Sequence, residues 1–193
     1  AGVRDNALDR RDVVKTLLAN RDRALVVAGL GAPAWDCAAA GDHPLNFYLW
    51  GAMGSAAMIG LGLALAQPER RVIVITGDGE MLMGLPSLAT VAVQAPRNLV
   101  LVVLDNERYG ETGMQATHTA NGVDLAGMAQ AAGFARVCTV RDAAQLSVAA
   151  ALVREAPGPV MAVIKVSAAA LPLVLPERDG ALLKNRFHNA LLG

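Results

Sequence analysis

Short apolar runs alternate with helix-like segments along most of the chain. Residues 72–76 read VIVIT and residues 99–104 read LVLVVL, and β-branched side chains are frequent in both. Neither run alternates between apolar and polar positions, which is typical of strands covered on both faces in a parallel sheet. The segment between them is long enough for a helix. We therefore predict a βαβ unit over residues 72–109, around which the rest of the chain is arranged.

The same criteria predict further elements on both sides of this unit. Helices are predicted over 8–18, 55–66, 123–132 and 142–154. Strands are predicted over 24–28, 135–140 and 159–166. Residues 107–121 are polar and without period, and residues 167–193 form a tail that we expect to pack across the domain or onto a partner. The expected fold is a three-layer α/β/α arrangement with a mostly parallel sheet, in one domain over 1–193.

Composition narrows the class of protein. Hydrophobic residues make up 54% of the 193 residues, but their runs fall far short of the roughly 20 residues of a membrane span. Seventeen basic and seventeen acidic side chains cancel, which gives no sign of nucleic-acid or membrane binding. Cys37 and Cys138 are isolated and typical of reduced, buried residues of a cytoplasmic protein. We expect some of the apolar surface to be buried by self-association.

Candidate chemistry follows the two central strands. Gly77-Asp78-Gly79 comes directly after the first, and Asp105-Asn106 ends the second. The carboxyl ends of parallel strands meet at one edge of a sheet, where open α/β sheets bind ligands. Carboxylate and amide oxygens suit Mg²⁺, and a glycine-flanked helix start suits an anion. The pattern predicts a diphosphate held through Mg²⁺.

The glycine-rich segments have two other interpretations. Gly-Asp-Gly is also an ordinary turn. The segment 29–34, GLGAPA, resembles a dinucleotide-binding fingerprint, which requires a following strand that ends in an acidic residue. Residues 46–50 read NFYLW and have no such end. The diphosphate interpretation is therefore favoured.

Gly77-Asp78-Gly79 followed at this distance by Asn106 resembles the signature of thiamine diphosphate (ThDP) enzymes, in their diphosphate-binding (PP) domain. The resemblance covers nearly all of residues 1–166. It implies that Asp78, Asn106 and the backbone carbonyl of Arg108 bind the metal. Asp105 stands where the family has a first Asn, and Glu80 where many relatives have Ser or Ala. We expect Glu80 to turn outward, away from the diphosphate.

A second segment, Trp50 to Gly54, strengthens the resemblance. In ThDP decarboxylases a glycine carbonyl here contacts the aminopyrimidine, and an apolar side chain wedges the cofactor into its bent form. These roles fall on Gly51 and Met53, although Met53 alone could be a core methionine. The full set of cofactor-binding residues that the resemblance implies is Gly31, Gly51, Met53, Gly77, Asp78, Gly79, Glu80, Asn106, Arg108, Tyr109, Gly110 and Glu111.

The polar segment 107–121 leaves the second strand tip and is expected to lie over the cofactor. A loop of this length in a compact domain is usually functional or flexible. His118 is the candidate for a catalytic role on the substrate. The alternative is a mobile surface lid without chemistry.

Details of the chain resemble the β subunit of sulfopyruvate decarboxylase and the matching half of phosphonopyruvate decarboxylase. In this family the activating Glu comes from a second, pyrimidine-binding (PYR) domain. The resemblance implies a PYR-domain partner subunit and a small 2-oxoacid substrate. The alternatives are the PP subunit of another ThDP enzyme, acetolactate synthase-like or transketolase-like, and a non-catalytic subunit that binds ThDP.

Overall fold

The computed structural model describes residues 8–193, and residues 1–7 of the predicted domain lie outside the described residues. The strands are β1 (Leu25–Ala28), β2 (Asn46–Tyr48), β3 (Val72–Gly77), β4 (Leu99–Asp105), β5 (Arg108–Tyr109), β6 (Gln115–Ala116), β7 (Arg136–Val140) and β8 (Val160–Lys165). In the described part, six of them form one parallel sheet in the order β2-β1-β3-β4-β8-β7. From β1 the chain adds β2 on one side and then β3 on the other, so the strand order reverses between β1 and β3. Such a switch point leaves a crevice at the carboxyl ends of these two strands.

The helices are α1 (Arg10–Leu18), α2 (Ala32–Ala39), α3 (Ala56–Ala66), α4 (Asp78–Met83), α5 (Ser87–Gln94), α6 (Leu125–Ala132), α7 (Ala143–Glu155) and α8 (Gly180–Leu192). Residues of α1, α2 and α7 share one core with the sheet, and residues of α3, α5 and α6 share the other. The predicted three-layer α/β/α fold is confirmed. Among the described residues, no helix combines the length and apolar character that crossing a membrane requires.

The central strands explain the apolar runs of the sequence. In β3, Ile73 and Ile75 pack into the first core, whereas Val72 and Val74 pack into the second. All four side chains are fully buried. A strand covered on both faces needs no polar positions, and for this reason the run does not alternate.

The structure contains elements that the sequence did not predict. β2 pairs with β1, and within the predicted loop 107–121 β5 and β6 form a small antiparallel ladder. The tail, residues 167–193, was expected to pack across the domain or onto a partner. In the structure it packs across the domain and ends in α8. This helix contacts β2, with Leu183 buried in the first core and Phe187 in the second. α8 therefore covers the edge strand of the sheet.

Candidate functional site

A cavity of about 190 Å³ opens at the carboxyl ends of β1, β3 and β4. Many of the predicted cofactor-binding residues line it together: Met53, Gly77, Asp78, Gly79, Glu80, Asn106, Arg108, Tyr109, Gly110 and Glu111. Gly31, Gly51 and His118 lie outside the lining. The strand tips thus converge as parallel strand order requires, because Gly77 of β3 is in register with Leu104 of β4.

Asp78 is the first residue of α4 and is only 2% exposed. Its Oδ2 accepts hydrogen bonds from the hydroxyls of Thr117, at 2.5 Å, and Thr119, at 3.1 Å. Burial and then the Asp105 carboxylate raise the pKa of Asp78 to about 6, although both hydroxyls oppose the rise. The ionised form is therefore under electrostatic strain, which a bound cation would relieve.

Asn106 follows β4 and shapes the turn that leaves it. Its Oδ1 accepts a hydrogen bond from the backbone N–H of Arg108 at 3.0 Å. The side chain of Arg108 donates to the carbonyl of Glu107 at 2.7 Å. Asn106 and Arg108 are in this way held beside Asp78 in the cavity lining.

Asp105 has a cationic partner that the sequence analysis missed. Asp105 and Lys165 are in register on β4 and β8, and Lys165 Nζ donates to Asp105 Oδ2 at 2.6 Å. Lys165 also donates to Glu107 at 3.0 Å. The single hydroxyl proton of Thr119 is shared between Asp105 Oδ1, at 2.8 Å, and Asp78 Oδ2, at 3.1 Å. The departure from the family's first Asn is thus compensated by a buried ion pair. A lysine at the end of the last apolar run was the signal available in the sequence.

Glu80 does not turn outward, and that expectation was wrong. The side chain is 5% exposed, and its Oε2 accepts hydrogen bonds from Thr76 Oγ1, at 2.7 Å, and the Leu30 N–H, at 3.1 Å. The room for it exists because Gly29 has no side chain: a Cβ there would lie 2.0 Å from Glu80 Oε2. The contact joins the turn after β1 to the start of α4.

Met53 is 36% exposed and faces the cavity, so it is not a core methionine. Gly51 is exposed, and apart from its chain neighbours no described residue lies within 4 Å of a hypothetical Cβ there. Trp50 fixes this segment to the tail, because its indole N–H donates to the Glu177 carbonyl at 2.7 Å. The Arg178 guanidinium lies 5.2 Å from the centre of the same ring.

The segment after Asn106 covers one side of the cavity. Tyr109 packs its ring against Gly79, and Glu111 lies over Gly31, whose φ of +75° favours glycine. His118 is exposed, and its Nδ1 lies 3.4 Å from the hydroxyl of Tyr109. Tyr109, a lining residue, thus connects His118 with the cavity.

Arg10 lines the cavity and was also missed, because it lies far from the motifs in sequence. Asp36 accepts from its Nε at 2.7 Å and is fully buried. The charged lining residues among those described are Arg10, Arg108, Asp78, Glu80 and Glu111. Acids thus outnumber bases, so a diphosphate would need a cation to enter.

The donor set at the cavity fits a hard cation. Asp78 offers a carboxylate and Asn106 an amide oxygen, which are ligands that Mg²⁺ accepts alongside water and phosphate. In residues 8–193, no three His, Cys, Asp or Glu side chains group together as a metal site. A metal bound here would draw its other ligands from backbone, water or phosphate oxygens.

Comparison with known proteins agrees with this geometry. Residues 29–166 match the family described as thiamine pyrophosphate enzyme, C-terminal TPP binding domain, TPP being another name for ThDP. The chain is 38% identical to the sulfopyruvate decarboxylase subunit beta of Methanothermobacter thermautotrophicus, over 96% of this chain and 97% of that one. It is 44% identical to the phosphonopyruvate decarboxylase of Streptomyces viridochromogenes, over 75% of this chain and 36% of that one.

A crystal structure described as that of a thiamin diphosphate-dependent enzyme from Mycobacterium smegmatis has the same fold. The TM-score is 0.70 at 25% identity, and the match covers 86% of this chain and 33% of that one. This chain therefore corresponds to roughly a third of such longer relatives and to nearly the whole of the separate β subunit. The chain belongs to the thiamine pyrophosphate enzyme family and carries its C-terminal TPP-binding domain.

Proposed function

We propose that this chain is the ThDP- and Mg²⁺-binding subunit of a two-subunit 2-oxoacid decarboxylase. The observation that carries the proposal is that Asp78 and Asn106 meet in one cavity at the strand tips, among the residues that the ThDP signature specifies. The similarity to a separate β subunit over nearly the full length of both chains supports the two-subunit arrangement.

In this proposal the metal takes the Asp78 carboxylate, the Asn106 side-chain oxygen and the Arg108 carbonyl as its ligands from this chain. The charge of the cation offsets both the burial of Asp78 and its repulsion by Asp105. It also offsets the excess of acidic side chains around the cavity, so the diphosphate can approach.

ThDP supplies the electron sink that lets the bond between the carbonyl carbon and the carboxylate break. The residues of this chain bind and orient it. Met53 would support the cofactor from the cavity wall, and the exposed Gly51 would offer its backbone carbonyl to the aminopyrimidine. Tyr109, Gly110 and Glu111 cover the site from one side and exclude water.

The substrate in this proposal is a small 2-oxo acid with a second anionic group, as in sulfopyruvate or phosphonopyruvate. Those are the compounds that the names of the relatives specify. Arg108 is the cation of the lining that is free of a carboxylate partner among the described residues, whereas Arg10 is paired with Asp36. His118, at the outer end of the Tyr109 contact, is the candidate to act on the substrate.

A partner subunit with a PYR domain supplies the Glu that activates the cofactor. We therefore expect the chain alone to release no CO₂ from sulfopyruvate, phosphonopyruvate or pyruvate. Addition of the PYR-domain partner in equal amount, with ThDP and Mg²⁺, should start turnover. The measurement is coupled detection of CO₂ release by a homogeneous preparation. Turnover by the chain alone, or a ThDP-loaded complex inert toward all three acids, would contradict the proposal.

A further inference from the structure

Two segments that border the cavity are joined by one buried carboxylate. Glu80, in the first turn of α4, lines the cavity and is 5% exposed. Its Oε2 accepts from the hydroxyl of Thr76 on β3 and from the backbone N–H of Leu30 after β1. The contact ties the turn after β1 to the strand that carries Asp78.

The fit between Glu80 and its surroundings is close on one side and incomplete on the other. A Cβ on Gly29 would lie 2.0 Å from Oε2, so the position is compatible with glycine alone while Glu80 keeps its place. Oε1 is buried and, among the described residues, has no hydrogen-bond partner. A buried carboxylate oxygen without a partner is costly, and such costs persist mainly where function requires them.

We propose that Glu80 is a positioning residue for the cofactor, whose carboxylate holds the turn after β1 at a fixed distance from the Asp78 turn. The proposal rests on the proposed ThDP-binding function and deepens it. A diphosphate contacts several backbone groups at once, so its affinity depends on the spacing of these segments. Stability of the chain depends on that spacing much less, because the sheet and both cores lie beneath it.

Substitutions at Glu80 separate positioning from general support of the fold. Glu80→Gln keeps an oxygen that can accept from Thr76 and Leu30, whereas Glu80→Ala removes both hydrogen bonds. We expect Glu80→Ala to raise the dissociation constant for ThDP roughly tenfold, because the turn after β1 is no longer held where the diphosphate needs it. The thermal midpoint should change little, because removal of the buried carboxylate oxygen that has no partner offsets the loss of two hydrogen bonds within the protein. Glu80→Gln should stay within about threefold of wild type by the same reasoning. Glu155→Ala, at an exposed acid at the end of α7, is the matched control.

Gly29→Ala provides an independent route to the same geometry, because the added methyl group displaces the carboxylate without removing it. We expect it to weaken ThDP binding about as much as Glu80→Ala does. In the Gly29→Ala/Glu80→Ala double variant the clash is gone, so the two effects should not add.

The experiment is calorimetric titration of ThDP with Mg²⁺ into the full-length chain, alone and with the PYR-domain partner, together with the thermal midpoint without cofactor. The proposal requires a raised dissociation constant for Glu80→Ala, rescue by Glu80→Gln, and a nearly unchanged midpoint. Equal affinity in wild type and Glu80→Ala, or a lowered midpoint with unchanged affinity, would overturn it. Additive losses in the double variant would also overturn it. If the wild type itself bound no ThDP, the proposed function would be wrong. That outcome differs from failure of the Glu80 proposal alone, in which the wild type binds ThDP.

Discussion

Asp78 and Glu80 lie on the same short helix, but only one of them could be placed from the sequence. Asp78 follows an apolar run that ends in glycine, so its position at a strand tip was predictable from local pattern. The inward turn of Glu80 depends on the missing side chain of Gly29, a residue distant in sequence. Contacts of that kind arise only from packing, and no local period reveals them.

Met53 gives a test at the scale of one residue. It is 36% exposed, so truncation removes little buried surface and should leave the thermal midpoint within a few degrees of wild type. Loss of the apolar support should misplace the cofactor, and a misplacement of about 1 Å can cost around a hundredfold in rate. Met53→Ala in the reconstituted complex should therefore lower kcat about a hundredfold with ThDP affinity largely kept. Met128→Ala, at a methionine that is 37% exposed on α6, is the control. A lower midpoint with normal kcat would argue against this role.

A buried ion pair joins the neighbouring strands β4 and β8 beside the site. Lys165 on β8 is 8% exposed and pairs with Asp105 on β4, which is 1% exposed. Removing one member of such a pair leaves an uncompensated charge and typically costs about 3–5 kcal/mol. Lys165→Met should therefore lower the thermal midpoint by roughly 10 °C for a chain of this size.

Two comparisons make that prediction specific. Lys184→Met, at an exposed lysine on α8, should leave the midpoint unchanged. Adding Asp105→Asn to Lys165→Met removes the stranded charge and should restore much of the lost stability. Equal midpoints for wild type and Lys165→Met would show that the pair contributes nothing.

The C-terminal helix is an element that the sequence analysis missed, although its signals are present. Asp179 caps α8 by accepting from the N–H groups of Ala181 and Leu182. Leu183 and Phe187 repeat at helical spacing and are the residues that become buried. The prolines that precede them indicated an irregular tail over residues 167–193. Its packing against β2 is a tertiary contact that local pattern does not show.

Phe187 tests whether α8 is an integral part of the fold. Its ring lies 5.6 Å from that of Phe47 in an edge-to-face arrangement, and the side chain is 9% exposed. Phe187→Ala should cost about 3 kcal/mol in the free energy of unfolding. Urea unfolding measures this, and Leu192→Ala, at a 65% exposed position of the same helix, should cost almost nothing. Similar values for the two variants would mean that α8 does not cover the sheet edge in solution.

At the scale of the whole molecule, the parallel strand order brings distant segments to one edge. The fold class and the strand-tip pair were predictable because apolar runs and turn glycines record them directly. Local pattern could not predict the roles of Lys165, Glu80 and Arg10. Each role depends on which strands and helices pack side by side in the fold. The cavity that results holds residues from before β1 to after β8.

The central claim is that this edge binds ThDP through a metal held by Asp78. Calorimetric titration of ThDP into the full-length chain with Mg²⁺, with a chelator, and into Asp78→Ala tests it most directly. We expect binding by the wild type in Mg²⁺, none with the chelator and none by Asp78→Ala. The variant should melt near the wild-type temperature, because burial already disfavours the ionised carboxylate. Asp12→Ala, at an exposed acid of α1, should bind normally. Near-wild-type affinity in Asp78→Ala, or in the chelator, would contradict the assignment.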